Sequence, residues 1–78
     1  MPTILRSGPY RVFFYSADRK EPRHMHVSRD DCRAKLWLDP VYLHDSTGFS
    51  RAELGMVVAV VEEHAEELRK AWDDFFAS

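Results

Sequence analysis

Two hydrophobic periodicities divide the chain. Polar and apolar residues alternate over residues 24–28 and 33–38, which is the pattern of half-buried β-strands. Residues 10–15 are aromatic and β-branched and predict a further strand, and a short fourth strand is indicated over 41–44. Residues 1–45 are therefore expected to form a small antiparallel sheet of three to four strands.

The apolar period changes near Ser50. Ser50 and Glu53 form an S-x-x-E capping box, in which each side chain is expected to satisfy a free N–H of the first helical turn. The apolar stripe that follows has steps of three and four residues: Leu54, Val57, Val61, His64, Leu68, Trp72 and Phe75. We predict one long helix over residues 50–76, packed on one face of the sheet in a single α+β domain, 1–78.

The expected turn at residues 29–32 fixes which side chains share a face. Directly opposed residues of an antiparallel pair lie on the same side of the sheet. One face is then expected to face solvent, and it gathers polar, cationic and aromatic side chains: His24, His26, Ser28, Arg33, Lys35 and Trp37. The other face is apolar and suited to receive the helix: Met25, Val27, Ala34, Leu36 and Leu38.

The first strand adds to both faces, although its loop to the second strand leaves the register open. Apolar content assigns Val12 and Phe14 to the core and Arg11, Phe13 and Tyr15 to the histidine face. Sheets bind single-stranded RNA with aromatic rings and cations on one face. The predicted RNA or anion contacts are Arg11, Tyr15, Arg33, Lys35 and Trp37. The same chemistry suits a protein partner, or ordinary cross-strand pairs.

His24 and His26 are the sharpest local feature. Residues i and i+2 of a strand point to the same side, so the pair is a candidate catalytic acid and base for a phosphodiester. Packing histidines and a metal site are the alternatives. A metal needs a third ligand, and Lys35 opposite His26 adds positive charge, so we expect no metal and no cofactor. Four residues could supply a third metal ligand, but none of them has a spacing from the histidines that is typical of a metal site: Cys32, Asp39, His44 and Asp45. His64 is expected to be a core histidine.

Charge and cysteine content limit the function classes. The net charge is -2, which excludes binding of nucleic acid by bulk positive charge. The charge is uneven: residues 1–40 carry eight Lys/Arg and five Asp/Glu, whereas 41–78 carry three and eight. Cys32 has no cysteine to pair with, and the longest apolar run is too short for a membrane span. We therefore expect a cytoplasmic protein with no membrane contact.

The predicted helix is longer than the predicted sheet. A helix over 51–76 is roughly 39 Å long, whereas strands of five or six residues span about 17–20 Å. Its last apolar side chains then need a cover, and we predict a partner interface of Leu68, Trp72, Phe75 and Phe76. A homodimer, a heteromeric partner and the chain's own residues 3–5 are the three alternatives.

Four blocks carry a family resemblance: residues 2–6, 10–18, 21–27 and 34–40. In order and spacing they resemble a prokaryotic family known as domain of unknown function 4160. Members typically have two prolines before the first histidine and a valine between the histidines, where this chain has Arg23 and Met25. The resemblance implies a neighbouring gene of the domain of unknown function 2442 family, in pairs suspected to be type II toxin–antitoxin modules.

Two functions follow as expectations. The first is a toxin-like component of such a module that contacts or cleaves RNA through the histidine face. The second is a non-enzymatic antitoxin or adaptor that docks a small protein, for which the domain of unknown function 2442 product is the expected partner. The sequence leaves open whether the protein is an enzyme.

Overall fold

The computed structural model describes residues 3–77, which form a five-stranded sheet and two helices. The strands are β1 (Thr3–Ser7), β2 (Tyr10–Phe13), β3 (His24–Arg29), β4 (Cys32–Leu38) and β5 (Val41–Thr47). A 3₁₀ helix (Ser16–Lys20) lies between β2 and β3, and α1 (Arg51–Glu63) and α2 (Ala65–Phe76) follow the sheet. The α+β class is as predicted.

The sheet is an antiparallel meander with the order β1-β2-β3-β4-β5. The chain reverses between β3 and β4 at Asp30 and Asp31, and Asp30 adopts a φ of 52°, which aspartate tolerates better than most residues. The predicted register is confirmed: His24 opposes Trp37, His26 opposes Lys35 and Ser28 opposes Arg33. The register of β2, which the sequence left open, pairs Phe13 with His26.

The predicted count of three to four strands is wrong because β1 adds a strand. β1 and β2 form a hairpin at Gly8 and Pro9, where Gly8 has a φ of 55° that favours glycine. β1 shows no clear alternation, because its two apolar residues, Ile4 and Leu5, are adjacent. β5 also continues beyond the predicted residue 44 to Thr47, past a register shift opposite Lys35 and Leu36.

The apolar core lies between the sheet and the helices, as the alternation predicted. Val12 and Phe14 are fully buried in it, and α1 and α2 cover it with Val57, Val61 and Leu68. The core residues of β3 and β4 are the predicted set: Met25, Val27, Ala34, Leu36 and Leu38. No helix in residues 3–77 is long and apolar enough to cross a membrane.

The single long helix was a wrong prediction, because the helix breaks at His64. His64 has φ -108° and ψ 14°, and its Nδ1 lies 3.2 Å from Glu67 Oε1. The ring is partly exposed and bonded to a carboxylate, so it is not the core histidine that was expected. Ala65 takes its place in the buried stripe, which continues through Leu68 and Trp72.

The start of α1 confirms half of the predicted capping box. The Ser50 hydroxyl accepts a hydrogen bond from the Glu53 backbone N–H at 3.1 Å. The Glu53 side chain does not return to Ser50. It instead accepts hydrogen bonds from the Arg29 guanidinium, with Nη2 to Oε1 at 2.7 Å, and from the Tyr10 hydroxyl at 3.0 Å. Contacts with residues distant in the sequence, an ion pair with Arg29 and a hydrogen bond from Tyr10, therefore replace the local contact and hold α1 against β2 and β3.

The helix end is covered largely within the chain. Phe14, which follows β2, contacts Trp72, Phe75 and Phe76 with ring centroids 5.0–5.4 Å apart. Leu68 and Trp72 are buried in this way, so they are not available to a partner in this conformation. Of the predicted interface, Phe75 is 45 % exposed and Phe76 is half-buried.

Candidate functional site

The face of the sheet away from the helices, here called the outer face, presents three rows of side chains that cross the strands. The first row is mainly cationic: Arg6, Arg11, Ser28, Arg33 and Thr47. The second is mixed: Phe13, His26, Lys35 and Asp45. The third is aromatic: His24, Trp37 and Tyr42. The predicted histidine face therefore forms, with Arg6 of β1 added to it.

The 3₁₀ helix covers one end of the outer face and brings Asp18 to the two histidines. Asp18 Oδ2 lies 3.1 Å from His24 Nε2 and 3.1 Å from His26 Nε2. The same oxygen accepts the Tyr15 backbone N–H at 2.9 Å, which fixes the turn that carries it. One carboxylate oxygen thus stands between two imidazoles.

The two histidines use this oxygen differently. His26 Nε2 makes a hydrogen bond with it. His24 Nδ1 is 2.9 Å from the Pro22 carbonyl oxygen, and because a carbonyl only accepts, Nδ1 carries the proton. His24 Nε2 is buried and has no hydrogen-bond partner within residues 3–77, since its geometry toward Asp18 is outside the range of a hydrogen bond. The lone pair of His24 Nε2 is therefore buried beside the Asp18 carboxylate.

His24 is fully buried, which contradicts the expectation that both histidines face solvent. Trp37 lies over it from the outer face and Trp72 from α2, with ring centroids 5.6 and 5.0 Å from the imidazole. The register was right, but Trp72 closes the end of the sheet where β3 begins. An RNA chain on the outer face therefore cannot reach His24 Nε2 as a free acid or base.

His26 is the more accessible of the pair. Its ring stacks on Phe13 at 5.5 Å and meets the edge of Tyr15 at 4.9 Å. Burial lowers the pKa of His26, and it outweighs the opposing pull of the Asp18 carboxylate. Burial alone would raise the pKa of Asp18, but the hydrogen bonds from the Tyr15 N–H and from His26 hold it below its usual value.

Lys35 is not the free cation that the sequence suggested. Its Nζ donates to Glu21 Oε1 at 2.7 Å and lies 4.9 Å from the Trp37 ring centroid. The same lysine lowers the pKa of Glu21. The positive charge beside His26 is therefore compensated by a carboxylate that follows the 3₁₀ helix.

The arginines of the first row are unpaired. Arg6, Arg11 and Arg33 have no carboxylate within 4.0 Å among residues 3–77, unlike Arg23 and Arg29. The Arg11 guanidinium stacks 4.5 Å over the Phe13 ring, and its Nε is buried with no acceptor in the described part of the chain. Between this row and the next lies a shallow depression lined by His26, Arg33, Lys35, Asp45 and Thr47 among others.

A family model described as domain of unknown function (DUF4160) matches residues 10–73. The chain belongs to the DUF4160 family. The resemblance read from the residue blocks is thereby confirmed. No curated protein and no solved structure matches the chain.

The DUF4160 match contains the Asp18–His24–His26 cluster and two of the three arginines, Arg11 and Arg33. Arg6 lies before the match. Sequence reasoning missed Asp18 and Arg6, because Asp18 lies in a loop segment and Arg6 in a strand that was not predicted. The one available signal was Asp18 three residues after Tyr15, the spacing at which a carboxylate caps a turn.

Proposed function

We propose that the outer face binds single-stranded RNA. The observation that carries the proposal is the row of Arg6, Arg11 and Arg33, three guanidinium groups on β1, β2 and β4 with no carboxylate partner in residues 3–77. Phosphate groups supply the acceptors that such a row lacks, and guanidinium groups bind them in a bidentate manner. The buried Nε of Arg11 gains an acceptor in the same way.

Exposed aromatic side chains elsewhere on the outer face support RNA in single-stranded form. Tyr15 and Tyr42 are 40 % and 56 % exposed, and Trp37 is partly exposed in the third row. Unpaired bases stack on such rings, whereas bases within a duplex are inaccessible to them. The arginines hold the backbone and the rings hold the bases in this proposal, and Lys35 contributes less because Glu21 neutralises it.

The proposal gives the protein the role of a toxin-like component of a type II toxin–antitoxin module, acting on RNA in the cytoplasm. Metal-free cleavage by His24 and His26 as an acid–base pair is disfavoured, because a buried His24 cannot exchange protons with a bound strand. His26 alone, at 21 % side-chain exposure, stays within reach of the depression beside it.

The test is fluorescence anisotropy of a labelled 12-nucleotide single-stranded RNA at several salt concentrations. Arg11→Gln and Arg33→Gln are expected to weaken binding, each reducing the slope of log affinity against log salt by about 0.7. Arg51→Gln and Lys70→Gln, exposed cations of the helices, are the matched controls and should leave affinity unchanged. Equal binding by all five proteins would contradict the proposal.

Docking of a small protein is the second candidate, and the exposed ring of Phe75 favours it. Phe75 contacts Phe14 and Phe76 on one side and solvent on the other, at the end of α2. The proposed partner is the domain of unknown function 2442 product of a neighbouring gene, or a second copy of this chain. Co-purification of that product, lost in Phe75→Ser and kept in Met56→Ser, would support it; sedimentation of the purified chain tests the homodimer.

A further inference from the structure

We propose that Asp18, His24 and His26 bind a divalent transition-metal ion, with Zn²⁺ as the reference case. One carboxylate oxygen and two imidazole nitrogens, Asp18 Oδ2, His24 Nε2 and His26 Nε2, lie within 4.8 Å of one another. Imidazole and carboxylate are the ligands that Zn²⁺ and related ions take in catalytic sites. The site revises the sequence-based expectation of no metal, and it stands independently of RNA binding.

Two of the three ligand separations suit a shared ion. Ligand atoms about 2.0–2.2 Å from one ion lie about 3.0–3.4 Å apart at right or tetrahedral angles. Both Asp18–histidine separations are 3.1 Å. His24 and His26 are two residues apart on β3, so the strand itself holds their rings on one side. The turn of the 3₁₀ helix, tied by the Tyr15 N–H, sets the third ligand against them.

The hydrogen bonding of His24 is that of a metal ligand. Histidines that bind metal through one ring nitrogen donate the other N–H to a carbonyl or carboxylate. His24 Nδ1 donates to the Pro22 carbonyl at 2.9 Å, which leaves the Nε2 lone pair facing the cluster. That nitrogen is buried and has no partner in residues 3–77, an arrangement that costs free energy unless something accepts the lone pair.

A purely structural histidine explains this arrangement less well. Without a cation, the Nε2 lone pair and the Asp18 carboxylate are two acceptors 3.1 Å apart, and they repel. Adding a proton to Nε2 supplies a donor whose direction does not meet Asp18 Oδ2. A metal ion accepts the electron pairs of both imidazoles and the carboxylate at once.

The charge argument against a metal is also removed by the structure. Lys35 opposes His26, but its ammonium is 2.7 Å from Glu21 Oε1 and so is neutralised. Asp18 and His26 keep 17 % and 21 % side-chain exposure, which leaves a path from solvent. Three protein ligands leave one coordination position for water or a ligand oxygen, as in catalytic rather than structural zinc sites.

The test is a Zn²⁺ titration of the chelator-stripped protein in the absence of RNA, in which binding is measured by isothermal titration calorimetry. One equivalent of Zn²⁺ is expected to bind, and ¹⁵N spectra should show ligation at Nε2 of His24 and His26. Asp18→Asn and His26→Gln are expected to weaken binding at least about tenfold. The matched controls are Asp31→Asn and His64→Gln, which lie outside the cluster.

Several results would overturn the site. Wild-type protein that binds no Zn²⁺, or Asp18→Asn that binds as tightly as wild type, contradicts it, as does a loss of binding in His64→Gln. Since Asp18→Asn keeps the size of the side chain, a folded Asp18→Asn protein keeps the test decisive even if His24 variants do not fold. Arg33→Gln should bind Zn²⁺ normally, so failure of RNA binding and failure of metal binding are distinguishable.

Discussion

Strand β3 carries a polar cluster at each end, and the two clusters differ in whether their groups are satisfied. At the C-terminal end, Glu53 of α1 accepts hydrogen bonds from both Arg29 and Tyr10. At the N-terminal end, Asp18 of the 3₁₀ helix meets His26 and His24, and the buried His24 Nε2 has no partner among the described residues. Each cluster brings a carboxylate from outside the sheet to a basic side chain of β3.

The difference separates a stabilising cluster from one arranged for binding. A satisfied network holds elements together, and here it fixes α1 on the sheet. An unsatisfied buried nitrogen costs about 1–3 kcal/mol, and a bound water or ion is one way in which proteins offset that cost. The hydrogen bonds of the Arg29 end are therefore expected to contribute to stability, and the polar groups of the His24 end to contribute to binding.

The largest expected effect comes from removing the cover of the His24 cluster. Trp72 is 6 % exposed and packs on His24, Phe14 and Phe76. Trp72→Ala is expected to reduce the free energy of unfolding by about 3–5 kcal/mol, as for other buried aromatic truncations. Urea denaturation measures it, with Phe75→Ala as the exposed control. A loss below about 1 kcal/mol would show that α2 does not close the cluster.

Removing one hydrogen bond from the satisfied cluster tests the stabilising end. Tyr10 is nearly buried, and burial together with its hydrogen bond to Glu53 raises its pKa. Tyr10→Phe keeps the ring and deletes only the hydroxyl, so we expect a loss of about 0.5–1.5 kcal/mol in urea denaturation. Tyr42→Phe, on an exposed ring, is the matched control. Unchanged stability in Tyr10→Phe would remove the contrast between the clusters.

At the His24 end of the metal-free protein, removing the carboxylate is expected to leave the free energy of unfolding unchanged or to raise it. In Asp18→Asn the amide oxygen can take the place of Oδ2 and keep the hydrogen bonds from the Tyr15 N–H and His26, while the loss of the negative charge reduces its repulsion with the lone pair of His24 Nε2. We therefore expect equal stability, or a gain of up to about 1 kcal/mol, measured by urea denaturation with chelator present. A clear loss of stability would show that the Asp18 carboxylate is itself structural.

The smallest expected effect is the part of the acid-range pH dependence of stability that comes from the Arg29 end. The hydrogen bond from Arg29 holds the pKa of Glu53 below its usual value of 4.5 in the folded protein. The pair therefore contributes full stability above pH 4.5 and loses it as the pH falls through the folded pKa. Glu53→Gln should lack this loss when wild-type and variant denaturation are compared between pH 6 and about pH 3. Parallel curves would contradict the assignment.

Local patterns predicted the features that depend on neighbouring residues. The turn at residues 29–32 gave the register that places His26 beside Lys35, and alternation separated the core face from the outer face. The position of Ser50 predicted the start of α1 because a cap acts within one turn. The burial of His24 could not be predicted, since it depends on Trp72 from the far end of the chain.

Asp18, which the sequence analysis did not assign to the site, shows the same limit of prediction from local patterns. Asp18 meets His24 and His26 only because the segment between β2 and β3 folds back over the outer face. No periodicity describes a short 3₁₀ helix, and its polar residues resemble those of any exposed loop. The break at His64 was hidden for a related reason, because Ala65 continues an apolar stripe that appears unbroken in sequence.

The order of the elements along the chain has a consequence for biosynthesis. All five strands precede the helices, so a ribosome completes the sheet while its apolar face, with Met25, Val27 and Leu36, still lacks a cover. At about 5–20 residues per second, the 51–77 segment takes a further 1–5 s, roughly, to be made. Until α1 and α2 dock, the apolar face of the sheet has no cover within the chain, and transiently exposed apolar surface of this kind makes a folding intermediate prone to aggregation.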